Sequence, residues 1–406
     1  MATTKQQTRR IRMLLWVLVA TLVVGLGACA DLAASSHLPT AAAVAKAKRK
    51  AEKAKQQRMR EEAMARALNE AAAKQATVGM HPSDNAEGAM AQPGLPRAGL
   101  PAAAVAPGST QDSPVCKTWG TPQVTGTVGK DSLDEISGLA VSRRHPGLLW
   151  VHNDAGNQTR LYLLSPEGKV RASLKVPKQP QSDWEDVAVG PCSTERVLGS
   201  TPCVYVSDTG DNKLTRGFAR IVRVPEPPTL DTHGDKRTVA MPPAAIEQFT
   251  FRYPDGPQDI EAMAVLPDTR VILLSKRTDG RSYVYRVSLK TGGDPVVAER
   301  LGVLSTSGGL VAPGTSLRVT AADLSPDGKF LLVRTSARVL LFDLGTALAG
   351  PADAAEEAFA AAVPRHLPTL REAQGEAIGW DTATGGFWQI SEGEGADIVR
   401  VACTTR

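Results

Sequence analysis

The sequence predicts an all-β protein, a β-propeller of five four-stranded blades, with six blades as the alternative. The main observation is an internal repeat, which has to be interpreted before any other feature. In each copy an acidic residue precedes about five small or apolar residues that end at a turn signal. Each unit then holds further β-rich runs, and a cysteine lies at either end of the repeat region. The acidic residues are Glu135, Glu185, Glu261, Asp323 and Glu376.

The strands of each unit can be assigned from β-rich runs separated by turn residues. The first unit contains EISGLAVS, LLWVHND, RLYLLSP and KVRASLKV, and the second and third units each contain four similar runs. The fourth unit has three clear strands, and we expect its fourth strand among residues 355–370. A sixth blade would have to lie in residues 301–320 or 345–372.

The fifth unit, EAIGWDT, GFWQISEG and ADIVRVAC, lacks one strand. The segment TWGTPQVTGTVG after Cys116 can supply it by pairing antiparallel with ADIVRVAC, which places Cys116 beside Cys403. This closure removes the exposed edge of an unfinished blade. We also expect a disulfide between Cys192 and Cys203, which flank a hairpin loop. Apart from Cys29 the chain has an even number of cysteines, as expected in an oxidising compartment.

The region before the propeller has three parts. Residues 1–29 have the form of an export signal ending in LGAC, which resembles a bacterial lipobox with Cys29 as the lipidated residue. An uncleaved signal anchor is the alternative, because the apolar run approaches the roughly 20 residues that a bilayer requires. Residues 30–77 predict an Ala/Lys-rich helical stalk, or alternatively a helix on anionic lipid or cell-wall polymer. Residues 78–115 predict a Pro/Gly/Ala linker, and residues 116–406 the propeller.

This organisation predicts an exported lipoprotein of the cell envelope, anchored to a membrane and facing the periplasm or the exterior. Residues 1–115 hold 15 of the 47 Lys/Arg residues and 8 of the 42 Asp/Glu residues. The basic character of the chain therefore belongs to the tether. Because the propeller region has no basic stripe with interleaved aromatic residues, we expect no nucleic-acid partner.

The repeated acidic residues predict a site at one mouth of the central channel, since the first strand of each blade lines that channel. Converging carboxylates repel one another, and a bound cation would relieve the repulsion. Oxygen ligands favour Ca²⁺ or Mg²⁺ over zinc or copper. We expect calcium, with Glu135, Glu185, Glu261 and Glu376 as candidate ligands. The alternative is that these carboxylates bind turns or backbone N–H groups between blades.

Polar residues also follow the second strands, which run antiparallel to the first strands and therefore end at the same mouth. Lys276 and Arg334 are either structural ion pairs or ligands for an anionic group. His152 is expected to be a loop hydrogen-bond partner. The candidate substrate-binding residues are Asn153, Asp154, Asp208, Asp211, Asn212 and Glu392.

Several sequence segments resemble those of a known family. They are DWEDVAVGP, VYVSDTGDN and RVPEP, followed by FRYPDGPQDIEAMAV, TAADLSPDG and GEAIGW. Across residues 116–406 they resemble the bacterial phytase-like β-propellers grouped under esterase-like activity of phytase. The resemblance implies a secreted propeller with hydrolytic activity towards phosphate or other esters, and calcium as in the true β-propeller phytases.

Two functions follow from these observations. The first is an envelope-tethered propeller that binds a ligand or protein partner at the polar mouth. The second is a calcium-dependent phosphoesterase or esterase, in which metal-assisted hydrolysis would use Glu185, Glu261, Lys276 and Arg334. The chain contains no GxSxG nucleophile elbow. A serine-hydrolase mechanism therefore has no candidate nucleophile.

Overall fold

The computed structural model describes residues 116–129, 133–154, 159–177, 179–193, 201–227, 237–240, 243–308, 315–372 and 374–405. The predictions for residues 1–115, including the lipobox at Cys29, the stalk and the linker, lie outside the described residues. Two short strands, β1 (Thr118–Trp119) and β2 (Gln123–Thr127), open the described chain.

The first two blades have four antiparallel strands each and one added parallel strand. Blade one consists of β3 (Ile136–Val141), β4 (Leu149–Asn153), β5 (Arg160–Leu164) and β6 (Val170–Lys175). Blade two consists of β7 (Trp184–Pro191), β8 (Pro202–Asp208), β9 (Ala219–Pro225) and, after β10 (Arg237–Ala240) and a 3₁₀ turn at Pro243–Ala245, β11 (Glu247–Arg252). Strand β10 pairs with β6 of blade one.

The remaining blades have four strands each in the described part of the chain. Blade three consists of β12 (Ile260–Val265), β13 (Val271–Ser275), β14 (Arg281–Val287) and β16 (Glu299–Ser305), with β15 (Val296–Val297) pairing to β11. Blade four consists of β17 (Val319–Leu324), β18 (Phe330–Thr335), β19 (Val339–Asp343) and β20 (Arg365–Leu367). Two helices, α1 (Gly345–Ala349) and α2 (Ala352–Ala361), lie between β19 and β20. Blade five consists of β21 (Gly375–Trp380), β22 (Phe387–Ser391), β23 (Asp397–Val401) and β2, and β24 (Cys403–Thr405) pairs with β1.

The five-blade prediction is confirmed, and the six-blade alternative is wrong. Residues 301–305 complete blade three, and residues 345–372 hold the two helices and β20. The predicted fourth strand of blade four is β20, but α2 occupies much of the predicted range. Its sequence ADAAEEAFAA is rich in strong helix formers, and Phe359 is fully buried against blades three and four.

The predicted closure of the propeller is also confirmed. Strand β2 pairs antiparallel with β23, with Val124 opposite Val399. Cys116 and Cys403 form a disulfide, and so do Cys192 and Cys203. Two disulfides are typical of a protein that folds outside the cytoplasm. Among the described residues, no helix is long and apolar enough to span a membrane.

The hydrophobic core lies between neighbouring blades. Each of five apolar clusters joins two adjacent sheets. The innermost strands β3 and β12 are buried along their whole length, in keeping with the small and apolar residues that surround Ser137 and Glu261. Polar residues that face the channel from these strands are therefore held on rigid, buried backbone.

Candidate functional site

The first strand of every blade begins at one face of the propeller, which we call the mouth face. The second strands end there, because Asn153 pairs with Ile136, Asp208 with Trp184 and Ser275 with Ile260. The predicted convergence of the first-strand starts and second-strand ends is thus present in the structure.

Each innermost strand has a β-bulge near its start, and the bulges align the blades. The first register shift falls between Ile136 and Gly138 in blade one and between Trp184 and Asp186 in blade two. The residue skipped at each bulge defines an inner ring, whose members are Ser137, Glu185, Glu261, Thr320 and Glu376.

An outer ring lies two residues earlier on each blade. Its backbone carbonyls accept a hydrogen bond from the residue that follows each second strand, as in the 2.7 Å bond from the N–H of Asp154 to the carbonyl of Glu135. The outer ring consists of Glu135, Asp183, Asp259, Arg318 and Gln374. In blade two the two rings come together, because one carboxylate oxygen of Asp183 and one of Glu185 lie within 4.8 Å of each other.

The predicted ring of five equivalent acids is wrong at two positions. Glu135 belongs to the outer ring, and Ser137 takes the inner position in blade one. Asp323 lies three residues beyond Thr320, where it accepts the N–H groups of Leu324 and Trp380 at 2.8 and 2.7 Å. For Asp323 the alternative prediction, a carboxylate that binds backbone N–H groups between blades, is correct.

Three carboxylates from blades one and two come together at the mouth face. One ligand oxygen from each of Asp154, Asp183 and Glu185 lies within 4.8 Å of the others. Glu185 is buried, whereas Asp154 and Asp183 are half-buried. Gly210 lies against them, and a Cβ there would be 1.9 Å from Oε1 of Glu185 and 2.7 Å from Oδ2 of Asp183. A glycine at this position is therefore required for the cluster to form.

The inner-ring glutamates are electrostatically coupled. Burial raises the pKa of Glu185 well above its usual value, and the charges of Glu261, Asp154 and Asp183 add to this effect. Burial also raises the pKa of Glu261, although the Lys276 ammonium group, 2.8 Å from its Oε2, opposes the shift. The pKa of Lys276 is lowered by burial, but the surrounding carboxylates outweigh this effect and raise it. The charge of Lys276 thus opposes the upward pKa shifts of both glutamates.

Glu376 completes the acidic part of the inner ring. Its Oε1 accepts a 2.9 Å hydrogen bond from the side-chain amide of Gln374, which also donates to Glu392. Its Oε2 is buried and has no hydrogen-bond partner among the described residues. A buried carboxylate oxygen without a partner is unusual.

Arg334 is engaged in a structural ion pair. Its side chain is 1% exposed and bonds to Glu372 and, at 3.4 Å, to Thr369. Burial lowers the pKa of Arg334 to about 10, and the charge of Glu376 opposes the shift. The guanidinium group of Arg334 packs against the backbone of Gly375. A side chain at residue 375 would prevent this contact, because its Cβ would be 2.1 Å from Nη2 of Arg334.

The DTGDN segment, residues 208–212, holds the backbone around the carboxylate cluster in place. Asp208 is buried, forms ion pairs with Arg216 and Arg220 at 3.0 and 2.8 Å, and accepts the N–H of Asp183 at 2.8 Å. Asp211 accepts the N–H of Arg216 at 2.7 Å. These bonds fix the segment that carries Gly210.

The other predicted mouth residues differ in exposure. Asn212 is exposed, whereas Asn153 is buried. His152 is buried, and its Nδ1 lies 3.0 Å from the carbonyl of Asn153, which fits its predicted role as a hydrogen-bond partner. Burial lowers the pKa of His152.

Sequence reasoning missed Asp183, Gly210 and Asp186 as individual site residues. The signal for Asp183 was present, because it lies two residues before Glu185 in the acidic stretch DWED. No local sequence feature distinguishes Asp186 from Glu185. The role of Asp186 depends on backbone groups of two other blades, which its carboxylate contacts.

No protein-family model matches the chain, and no curated protein matches it. Among solved structures, the PQQ-bound aldose sugar dehydrogenase of Streptomyces coelicolor is 12% identical, covers 70% of this chain and 98% of its own, and has a TM-score of 0.36. The apo-form aldose sugar dehydrogenase of Escherichia coli is 12% identical, covering 70% and 100%, with a TM-score of 0.34. The β-propeller domain of Cps50 (Swd1) from Myceliophteria thermophila is 10% identical, covering 65% and 83%, with a TM-score of 0.32.

Proposed function

We propose that this propeller binds Ca²⁺ at its mouth through Asp154, Asp183 and Glu185, and that the loaded mouth binds an anionic ligand. The supporting observation is that oxygens of these three carboxylates lie within 4.8 Å of one another. Three negative charges at this separation are unfavourable unless a cation or protons neutralise them. An all-oxygen ligand set is the type that Ca²⁺ and Mg²⁺ prefer.

The residues fit an ion of this kind. Gly210 has no side chain that would fill the space beside Glu185 and Asp183. Ca²⁺ takes roughly six to eight oxygen ligands, so three carboxylates leave positions for water or for oxygens of a ligand. Compared with the ligands expected from the sequence, this set keeps Glu185 and replaces Glu135, Glu261 and Glu376.

Lys276 supplies the second element of ligand binding. Its side chain is 23% exposed while its ammonium group is held 2.8 Å from Glu261, so it can contact solvent and a bound molecule. An ammonium group beside a bound cation favours a phosphate or carboxylate group. The ligand we propose is therefore a molecule or protein segment that carries such a group, present in the cell envelope. Anchoring through a lipid on Cys29 remains part of this proposal.

Calorimetry with CaCl₂ on the full-length protein tests the metal site. We expect saturable binding in the parent protein and at least about tenfold weaker binding in Glu185→Gln, which removes one charged ligand. Glu394→Gln is a matched control, because Glu394 is exposed and lies outside the cluster. Equal heats in all three proteins, or none in any, would contradict the proposal.

Phosphoester hydrolysis is a second candidate, favoured by the family resemblance and by the coupled pair Glu185 and Glu261. A bound Ca²⁺ would supply positive charge for the phosphoryl oxygens. Glu261 would take a proton from the attacking water, and Lys276 would bind the phosphoryl group. The P–O ester bond breaks, and the leaving oxygen departs as an alcohol with that proton.

Release of inorganic phosphate from p-nitrophenyl phosphate and from phytate, with and without CaCl₂, tests this candidate. Turnover that requires calcium and is lost in Glu261→Gln would support it. Calcium binding without turnover would leave ligand binding as the function.

A further inference from the structure

A second polar cavity opens on the mouth face, in the outer part of blade four. Its volume is about 370 Å³. It lies where β16, β19 and β20 have their mouth-face ends, so it is separate from the channel. The lining residues are Gly308, Arg338, Val339, His366, Leu367 and Thr369.

The charge of this cavity is opposite to that of the channel mouth. Its described lining includes a guanidinium group and an imidazole and no acidic side chain. Blade four also departs from the acidic pattern of both rings. The outer-ring position that holds Glu135, Asp183 and Asp259 in the first three blades holds Arg318 in blade four. The described lining of the cavity therefore favours an anion over a cation.

Hydrogen bonds fix the polar groups of the lining. Nη1 of Arg338 donates to the carbonyl of Ser307 at 3.3 Å, and Nε2 of His366 lies 2.6 Å from the carbonyl of Gly308. Gly308 has a φ of 45°, and a Cβ there would be 2.9 Å from Nε2 of His366. The contact between His366 and residue 308 therefore requires glycine.

Buried donors without partners lie behind Thr369. Its hydroxyl donates to Oε1 of Gln389 at 2.8 Å and lies 3.4 Å from Nη1 of Arg334. Nε of Arg334 and Nε2 of Gln389 are buried and have no hydrogen-bond partner among the described residues. Buried donors are normally satisfied. Neither group lines the cavity, but both add unused donors behind its Thr369 side.

We propose that the blade-four cavity binds a small organic oxyanion, a phosphate or a carboxylate. The Arg338 guanidinium group matches the paired oxygens of either group. His366 and Thr369 add polar contacts, and Val339 and Leu367 form an apolar surface for the carbon part of the ligand. The site does not depend on a metal at the channel mouth.

Calorimetry on the full-length protein, freed of metal ions over a chelating resin, tests the proposal, with phenyl phosphate, benzoate and uncharged benzyl alcohol as probes. We expect at least one of the two anions to bind, benzyl alcohol not to bind, and affinity to fall at least about tenfold in Arg338→Gln because a charged, two-point contact is lost. Phenyl phosphate and benzoate distinguish the two oxyanion types.

Arg365→Gln is the matched control, since Arg365 is exposed on the same blade and does not line the cavity. His366→Gln is a second variant in case Arg338→Gln does not fold, and we expect it also to weaken binding. The proposal is overturned if neither anion binds to the metal-free protein. It is also overturned if Arg365→Gln weakens binding as much as Arg338→Gln does.

Discussion

The carboxylate of Asp186 in blade two accepts the backbone N–H of Ala322 in blade four, with 3.1 Å between Oδ2 and the nitrogen. The same oxygen accepts the N–H of Met263 in blade three at 2.8 Å, and Oδ1 accepts the N–H of Val187 at 2.8 Å. One buried side chain therefore joins three blades across the channel. This arrangement differs from the open ring of acids expected from the repeat, and it gives Asp186 a structural role.

Replacing Asp186 should destabilise the propeller. We expect Asp186→Ala to lower the free energy of unfolding by about 3 kcal/mol or more, because it leaves three buried N–H groups without acceptors. Asp186→Asn should cost about 1–3 kcal/mol, since its oxygen can still serve part of the set. Urea unfolding measures both values. Asp397→Ala, at an exposed position, is the control, and an effect of Asp186→Ala no larger than that control would exclude the structural role.

The pH dependence of stability should report on Asp323. Burial raises its pKa to about 6, although the N–H groups of Trp380 and Leu324 oppose the shift. The folded protein then keeps a proton that the unfolded chain releases. The stabilising contribution is complete below about pH 4 and is lost as the pH rises through about 6.

We therefore expect Asp323→Asn, which does not ionise, to gain about 2 kcal/mol of unfolding free energy relative to the parent protein between about pH 4 and pH 7. This value is below the full conversion of the pKa shift, because the residue is partly exposed to water. Urea unfolding at a series of pH values gives the difference. A relative loss for Asp323→Asn on raising the pH would show that the two N–H donors favour the carboxylate.

Gly210→Ala should abolish calcium binding while the fold is retained. The added methyl group would displace the side chains of Glu185 and Asp183 from their present positions. Gly217→Ala is a matched control, because nothing lies within 4 Å of a Cβ at that position. Calorimetry with CaCl₂ and thermal unfolding separate the two effects. Unchanged calcium affinity in Gly210→Ala would place any bound ion elsewhere.

The two disulfides should contribute unequally to stability. The Cys116–Cys403 bond closes a sequence separation of 287 residues, and the Cys192–Cys203 bond one of 11 residues. Loop entropy in the unfolded chain predicts losses of about 6 and about 3 kcal/mol, respectively, on replacing each pair by serine. Urea unfolding of the two double variants measures these losses. Equal losses would mean that the unfolded chain already holds its ends together.

The sequence was sufficient to predict the blades and their closure, because strand runs, turn residues and terminal cysteines are local signals. It was insufficient to predict which residues form the inner and outer rings. Aligning the repeat by its acids puts Glu135 and Asp323 beside Glu185, whereas the bulges put Ser137 and Thr320 there. The bulge recurs at the same place in every blade, so the apolar run that follows it, and not the acidic residue, marks the equivalent positions. Two hydrogen-bond partners of Asp186, Met263 and Ala322, lie 77 and 136 residues further along the chain, so no local pattern indicates them.

The bond between Cys116 and Cys403 also has a mechanical consequence. The chain enters the propeller at Cys116, so a pull from that end would reach β1 and β2 first. Without the disulfide, such a force could peel β2 from β23 one hydrogen bond at a time. With it, tension passes through the covalent bond into the C-terminal strands of blade five. A force applied at residue 116 is therefore carried by blade five as a whole and not by β2 alone.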